Sequence, residues 1–481
     1  MASPTTSSNG DRTSADTASS SLRTLLSHCR RAVFAGFDRI LLSNSDRASK
    51  LTPIDTTASL IDLFTNTYAP TQTMILSYLS VADVINLTLT CKGFNQVQPT
   101  LMTTAYNINR LLGKFFDDPL EFRSLQGQCG AIITGRHIRG WFDRSAEVPR
   151  TLMMYVAQEQ SEQMIEYIKN KGYREQQQPR ADRFLAIKRT VTGLELKIYM
   201  CKGDKMPIAQ LLMNSNFTID MCFITWNKAY AIFPYTAFIR RECYILKDIS
   251  SVECDLNELS KDGFRVKTVS WAQQCDQVDL AGAYGLGTLL KLGKENDDIK
   301  ELARNRRIGD KHTWSIELGT AGVEKPSIPD GVLESNTFQL FVDAPSCGEE
   351  GVESRYVLGY TDPRFQHPVL KYTYLGLEAP EPMTYYTARC DALDHRLNEL
   401  TRIELSKIPP GDRPDEYLNL LWDLNKATEL RGNFTLPDSW TFYDDEVIAE
   451  LEKAWKIQEN LDRKAEAARK AKFERLTSTT T

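Results

Sequence analysis

Few side chains in this sequence stand at spacings that support catalysis. Its five histidines, His28, His137, His312, His367 and His395, fall in no metal-binding pattern such as His-Glu-x-x-His. The ten cysteines form no Cys-x-x-Cys pair and no Cys–His pair at zinc spacing. No Gly-x-Ser-x-Gly elbow and no phosphate-binding Gly-x-x-x-x-Gly-Lys-Ser/Thr loop is present. Gly282-Ala-Tyr-Gly-Leu-Gly is glycine-rich but lacks a preceding strand and a following lysine, which reads as a flexible turn. Asp117-Asp118 and Asp444-Asp445 flank helix ends, where carboxylates serve as caps. Glu195 reads as an isolated acid on an exposed strand face. These residues point to no metal and no cofactor.

The elements that would position a site follow from hydrophobic period. Met102, Ile108, Leu111, Leu112, Phe115 and Phe116 recur at near-helical spacing, and Asp118-Pro119 breaks that helix and starts another. After Gly130 the pattern shortens: Ala131-Ile-Ile-Thr and Leu152-Met-Met-Tyr-Val have strand length. Ser161 to Asn170 predicts a helix with Met164, Ile165 and Ile168 on one face, and Gly172 suits the left-handed residue beyond its end. Leu194, Leu196, Ile198 and Met200 alternate as in a half-buried strand. Ile219–Trp226 reads as a strand buried on both faces, and Phe264-Arg-Val-Lys and Trp314-Ser-Ile-Glu alternate too. Beyond Thr387 the chain is helical, with an apolar face over Asp415–Leu430 and a last helix from Asp444 to Leu476. That last helix carries Val447, Ile448, Leu451, Trp455 and Ile457 early, and its basic end fades into solvent.

Composition agrees with a globular protein: 481 residues, 42% hydrophobic, 25% charged and a net charge of −5. Length gives a prior of two to four domains. The charge argues against nucleic-acid binding by bulk electrostatics. No apolar run approaches the ~18 residues of a membrane span, so no membrane partner is expected. Residues 1–21 are polar and too poor in large side chains to fold, and residues 22–42 are mildly basic and amphipathic. Cysteines embedded in apolar runs, such as Cys222, suggest a reducing compartment, cytoplasmic or nuclear.

Within Ile75–Phe94, Ile75, Leu76 and Leu79 close a first helix, and Asp83 is placed to cap a second. Val84, Leu87 and Leu89 line that second helix, and Cys91, Phe94 and Val97 continue into a third. Leu79-Ser-Val-Ala-Asp-Val and Cys91-Lys-Gly-Phe resemble the F-box, the helical module that docks on the Skp-type adaptor of a cullin ubiquitin ligase. The family's Leu-Pro-x-Glu opening is replaced by Thr67-Tyr-Ala-Pro-Thr-Gln-Thr. The resemblance implies adaptor contact through Ile75, Leu76, Leu79, Asp83, Val84, Leu87, Cys91 and Phe94, and recruitment of an unknown protein substrate.

Downstream come Gly130-Ala-Ile-Ile-Thr-Gly135, Trp141-Phe-Asp-Arg, Leu152-Met-Met-Tyr-Val, a helix ending Lys169-Asn-Lys-Gly-Tyr173, and Phe223-Ile-Thr-Trp-Asn-Lys-Ala-Tyr. This order resembles fungal F-box-like proteins whose middle looks like a nucleotidyltransferase. That fold's chemistry uses a Gly-Ser turn for phosphate and a strand Asp-x-Asp that chelates Mg²⁺. Here the turn reads Gly135-Arg136 and the acid positions read Thr151 and Met153. The resemblance implies a pseudoenzyme in which Arg136 is left either to meet an anion or to lie on the surface.

The expected architecture is α+β: a helical F-box-like segment, a central mixed-sheet nucleotidyltransferase-like domain and a helical C-terminus. Its boundaries are a tail (1–21), a basic segment and linker (22–70), the F-box-like module (71–98), the α+β domain (99–300), a β-rich extension (301–385) and C-terminal helices (386–481). Two other readings stay open: a divergent nucleotidyltransferase or phosphotransferase with non-standard acids, and a structural protein with neither activity.

Overall fold

The computed structural model describes residues 69–145, 150–175, 185–189, 193–201, 206–268, 304–343, 355–359, 365–376, 384–413 and 436–478, apart from 93, 95, 96 and 248, together with Phe64, Leu302 and Tyr417. The expected tail and amphipathic segment (1–42), the Gly282 run and the 415–430 helix, save Tyr417, lie outside these residues. The chain divides into two compact units, with the boundary between Asn107 and Ile108.

The first unit is built of α1 (Ala69–Ser77), α2 (Val81–Thr90) and α3 (Val97–Thr103). Ile75, Leu76, Val81, Val84, Phe94, Val97 and Leu101 are buried, and Phe94 meets Phe64 edge-on at 5.3 Å. The fully buried Gln72 donates to the Phe64 carbonyl and accepts from Thr100, so no buried amide atom is wasted. The N-cap of α2 lies three residues before the expected one. Ser80 is its N-cap and Asp83 its third residue, joined in a reciprocal capping box: Ser80 N donates to Asp83 Oδ2 at 2.9 Å, and Asp83 N to Ser80 Oγ at 3.2 Å.

The second unit is organised around an eight-stranded sheet of order β11 (Trp314–Glu317), β7 (Lys228–Ala231), β6 (Cys222–Ile224), β1 (Ile132–Thr134), β2 (Thr151–Ala157), β5 (Glu195–Cys201), β4 (Leu185–Arg189) and β3 (Tyr173–Glu175). Its centre is β1 (Ile132–Thr134), β2 (Thr151–Ala157) and β5 (Glu195–Cys201). β1 runs antiparallel to β2, and β2 runs parallel to β5. A parallel neighbour requires a crossover. The helix Gln158–Asn170, here α7, provides it and packs on β2, β5 and β3 (Tyr173–Glu175). Met164 and Ile168 are its fully buried residues, and Gly172 beyond its end takes the expected positive φ of 84°. Before it come α4 (Ile108–Leu112), α5 (Pro119–Gln128) and α6 (Arg136–Phe142). The helix expected across Met102–Phe116 is instead two pieces, α3 and α4. Asp118 caps α5 by accepting from Leu120 N and Glu121 N, as its place before Pro119 requires.

Thr151, Met153 and Tyr155 lie on one face of β2 and Leu152, Met154 and Val156 on the other. α8 (Pro207–Asn214) covers the Tyr155 face, packing Ile208, Ala209, Leu211 and Leu212 into a core with Ile132, Phe223 and Tyr230. β6 (Cys222–Ile224), β7 (Lys228–Ala231) and β11 (Trp314–Glu317) extend the sheet past β1. The expected long strand over Ile219–Trp226 is only Cys222–Ile224, because a 3-10 turn at Thr218–Asp220 occupies its start. β4 (Leu185–Arg189) links β3 to β5. β8 (Glu242–Tyr244) and β9 (Arg265–Lys267) pair in parallel, separated by α9 (Ile249–Lys261).

The 301–385 stretch supplies β11 to the main sheet and a second sheet, β10 (Arg306–Arg307), β12 (Thr337–Asp343) and β13 (Arg355–Gly359). Between them lies α10 (Asp330–Glu334). The C-terminal helices are α11 (Tyr385–Ser406) and α12 (Asp444–Ser478), which pack together around Tyr386, Cys390, Leu397, Val447, Leu451 and Trp455. Residues 461–468 of α12 are exposed, as the fading apolar stripe predicts. Asp444, expected as a cap, is the first residue of α12, and its buried carboxylate accepts from Lys371 N, Tyr372 N and Tyr374 Oη.

The described cysteines are free thiols, and no described helix is long and apolar enough to cross a membrane. Burial pushes the Cys129 thiol up to about 11 and those of Cys201 and Cys243 to about 12. Only the thiolate is nucleophilic. Alkylation of the native chain at pH 8, read by peptide mapping, is therefore expected to mark exposed Cys254 well before Cys129, Cys201 or Cys243.

Candidate functional site

Two places carry the residues that the sequence singles out. In the first unit, the eight residues expected at a partner surface divide by burial. Ile75, Leu76, Val84 and Phe94 are buried among the helices, whereas Leu79, Asp83, Leu87 and Cys91 are half-buried. The Asp83 carboxylate is engaged in the capping box. The apolar side chains that do face outward are Tyr78, Ile85 and Leu89, at 77%, 43% and 78% exposure. Ile85 and Leu89 are one helical turn apart and so share a face of α2. The sequence singles out neither Tyr78 nor Ile85, and marks Leu89 only as one of the apolar residues of α2.

In the second unit the site is the junction of β1, α6, β2 and β5. Gly135 ends β1 and precedes α6 with φ +100° and ψ −176°, a conformation reserved in practice for glycine. Thr134 pairs with Met153, and a Cβ on Gly135 would lie 2.8 Å from Met153 Sδ. The thioether therefore closes over the turn. The parallel register sets Thr151 beside Glu195 and Met153 beside Lys197. Glu195 is not the isolated acid expected: its Oε2 accepts from Thr151 Oγ1 at 3.1 Å and lies 4.0 Å from Lys197 Nζ.

Arg136, left by the sequence to meet an anion or lie on the surface, is half-buried and ion-paired. Its guanidinium pairs with Glu258 at 3.0 Å and Asp262 at 3.1 Å. One turn on, the buried Arg139 pairs with the same Asp262 at 3.2 Å and with Asp220 at 3.3 Å. Arg241 pairs with Asp143 at 2.6 Å and stacks 4.0 Å from the Phe264 ring. Arg136, Arg139 and Arg241 are thus each matched by at least one carboxylate.

A divalent metal does not fit this donor set. Mg²⁺ takes hard oxygen ligands, usually carboxylates. The acid positions hold a hydroxyl and a thioether, and the remaining carboxylate is shared with a hydroxyl and an ammonium. Among the described residues no three His, Cys, Asp or Glu side chains stand close enough to hold a metal ion.

Comparison with protein-family models and with curated proteins finds no match. Comparison with solved structures finds a distant, partial similarity to CCA-adding enzymes. A complex with CTP aligns at TM-score 0.25 and 17% identity, covering 41% of this chain and 56% of that one. The Thermotoga maritima CCA-adding enzyme complexed with tRNA aligns at 0.26 and 17%, covering 41% and 55%. An apo form aligns at 0.26 and 16%, covering 40% and 52%. The chain thus spans about half the length of these structures.

Proposed function

We propose that this chain is a binding protein. Its F-box-like helices dock on a Skp-type adaptor, and its α+β body is a nucleotidyltransferase-like fold without two-metal chemistry that engages an unidentified protein substrate. The observation that carries the docking half is the outward apolar pair Ile85 and Leu89 on α2, a helix fixed by the Ser80–Asp83 box, with exposed Tyr78 in the turn before it. Capping removes the fraying that would otherwise blur such a face, and isolated apolar side chains on a fixed helix are what a groove-type partner recognises. The pseudoenzyme half is supported by the succession β1, Gly135 turn, α6, β2, α7, β5, with Thr151 and Met153 where acids would have to stand.

The test is co-purification of the full chain with the adaptor, beside Ile85→Asp/Leu89→Asp. Both side chains are exposed, so the variant is expected to keep its circular dichroism and melting curve. The wild-type chain is expected to bind stoichiometrically. The variant is expected to lose at least about 2 kcal/mol of binding, the scale of a hot spot. No binding by a folded wild-type chain, or equal binding by a folded variant, overturns the docking proposal.

A second reading, a divergent nucleotidyl- or phosphotransferase, draws on one observation: the Glu195 carboxylate lies in register with Thr151 beside the Gly135 turn. A Mg²⁺-dependent rise in melting temperature with nucleoside triphosphate would favour it. Its absence would favour the pseudoenzyme.

A further inference from the structure

The second unit contains a cavity of about 650 Å³, at the Ala131 end of β1 and the Ala157 end of β2. This is the opposite end of those strands from the Gly135 turn, since β1 and β2 are antiparallel. The volume falls in the range of small-molecule sites, roughly 300–1,000 Å³. Ile132, Ile208 and Leu333 contribute apolar wall, and Trp226 and Tyr372 contribute rings.

The wall carries amides and hydroxyls together with two carboxylates. Gln126 is 1% exposed, and its Nε2 donates to the Ala131 and Ile224 carbonyls at 3.2 and 3.0 Å. Those bonds fix the amide's orientation and leave Oε1 with no donor among the described residues. A buried acceptor without a partner costs about 1–3 kcal/mol. Glu159 and Asp330 add carboxylates to the wall. Asp330 accepts from Asn227 at 2.6 Å and lies 3.7 Å from Lys228 Nζ, an ammonium shared with Glu334 at 2.9 Å and Glu317 at 3.5 Å. The cationic side chain of the wall is Lys371, at the exposed rim, with its Nζ 5.2 Å from the Phe442 ring centre. The local field is accordingly negative. Tyr230, which lines the cavity and donates to Glu334, has its phenol pushed far up by burial and then by Glu334, Asp330 and Glu317.

Carboxylates and aromatic faces in the wall favour positive charge. We infer that this cavity binds a small organic cation, a protonated amine carried on an apolar or aromatic body. The ammonium would lie toward Asp330 and Glu159, and the body against Trp226 and Tyr372. This site is independent of the docking helices and of the Gly135 turn.

The test is calorimetric titration of the full chain with tryptamine, beside indole-3-propionate, which has a similar body and the opposite charge. Tryptamine is expected to bind saturably, at least about tenfold more tightly than indole-3-propionate. Thr373→Trp fills the cavity from a half-buried wall position and is expected to abolish binding. Asp330→Asn and Glu159→Gln remove one charge each and are expected to weaken it several-fold. Glu159 is exposed, so its variant reads charge without disturbing the Asn227 bond. Melting curves establish that each variant is folded. The inference is overturned by no tryptamine binding up to about 5 mM, by equal affinity for both probes, or by binding that survives Thr373→Trp unchanged.

Discussion

Asp310→Ala is expected to cost about 3–5 kcal/mol of stability, the scale seen when one partner of a buried ion pair is removed. Arg306 and Asp310 are each 1% exposed at their side chains and joined at 2.7 Å and 2.9 Å. Arg306 also donates to the Ile232 carbonyl and Thr313 Oγ1 and lies 5.0 Å from the Phe233 ring centre. Asp310 further accepts from Arg307 N, His312 N and Thr313 Oγ1. Its loss leaves a guanidinium buried with too few acceptors. The double change Arg306→Met/Asp310→Leu is expected to recover much of the loss, because an apolar pair has no charge to desolvate. Urea titration of the three variants measures the coupling.

The same knot gives the chain a direction in pH. Burial, and then Arg304, pull His312 down to about 4, and its Nε2 lies 3.1 Å from Arg304 Nη1. A histidine depressed from about 6.5 on folding contributes stability above the unfolded value. That contribution is lost as pH falls from about 6.5 toward 4. Burial alone would raise Asp310, but the Arg306 bonds and charge outweigh it and hold the carboxyl below its usual range. Its contribution is present above about pH 4 and disappears at lower pH. Stability is thus expected to decline in two stages. His312→Gln should flatten the first stage and leave the second. A slope unchanged by that variant would assign the first stage to other groups.

Gly135→Ala is the second large effect. At φ +100° and ψ −176° an alanine carries strain of about 1–3 kcal/mol. Its Cβ would also stand 2.8 Å from Met153 Sδ, adding an overpacking cost of about 1–3 kcal/mol. A total near 3 kcal/mol is expected by urea denaturation. Gly135→Ala/Met153→Ala should recover the contact part and leave the backbone part. Full recovery would show that Met153 alone requires the glycine; no recovery would show that its thioether moves aside freely.

Much of the central sheet was legible because period encodes face. The runs at Ile132, Leu152 and Leu196 became β1, β2 and β5, and Ser161–Asn170 proved to be the body of α7. Partners were not legible, since alternation says which way a side chain points and not which strand lies beside it. Nothing local announces that Thr134 pairs with both Met153 and Phe223, or that Ala231 pairs with Trp314. Glu195 looked solitary for that reason: its neighbour Thr151 comes from a strand far earlier in the chain. Asp83 was legible as a capping residue, but its reciprocal partner Ser80, which is the N-cap, was not. The cavity draws on residues from Gln126 to Thr373 and has no sequence signature at all.

The place of β11 has a consequence during synthesis. It is the last strand to join the main sheet, and it brings Trp314 to within 5.3 Å of Phe142 and 5.9 Å of Phe238. Until Glu317 has left the ribosome, β7 presents an open edge of unpaired amides beside an uncovered aromatic cluster, a template for self-association. Nascent chains stalled before Trp314 should therefore depend on chaperones, and release from them should coincide with the arrival of β11.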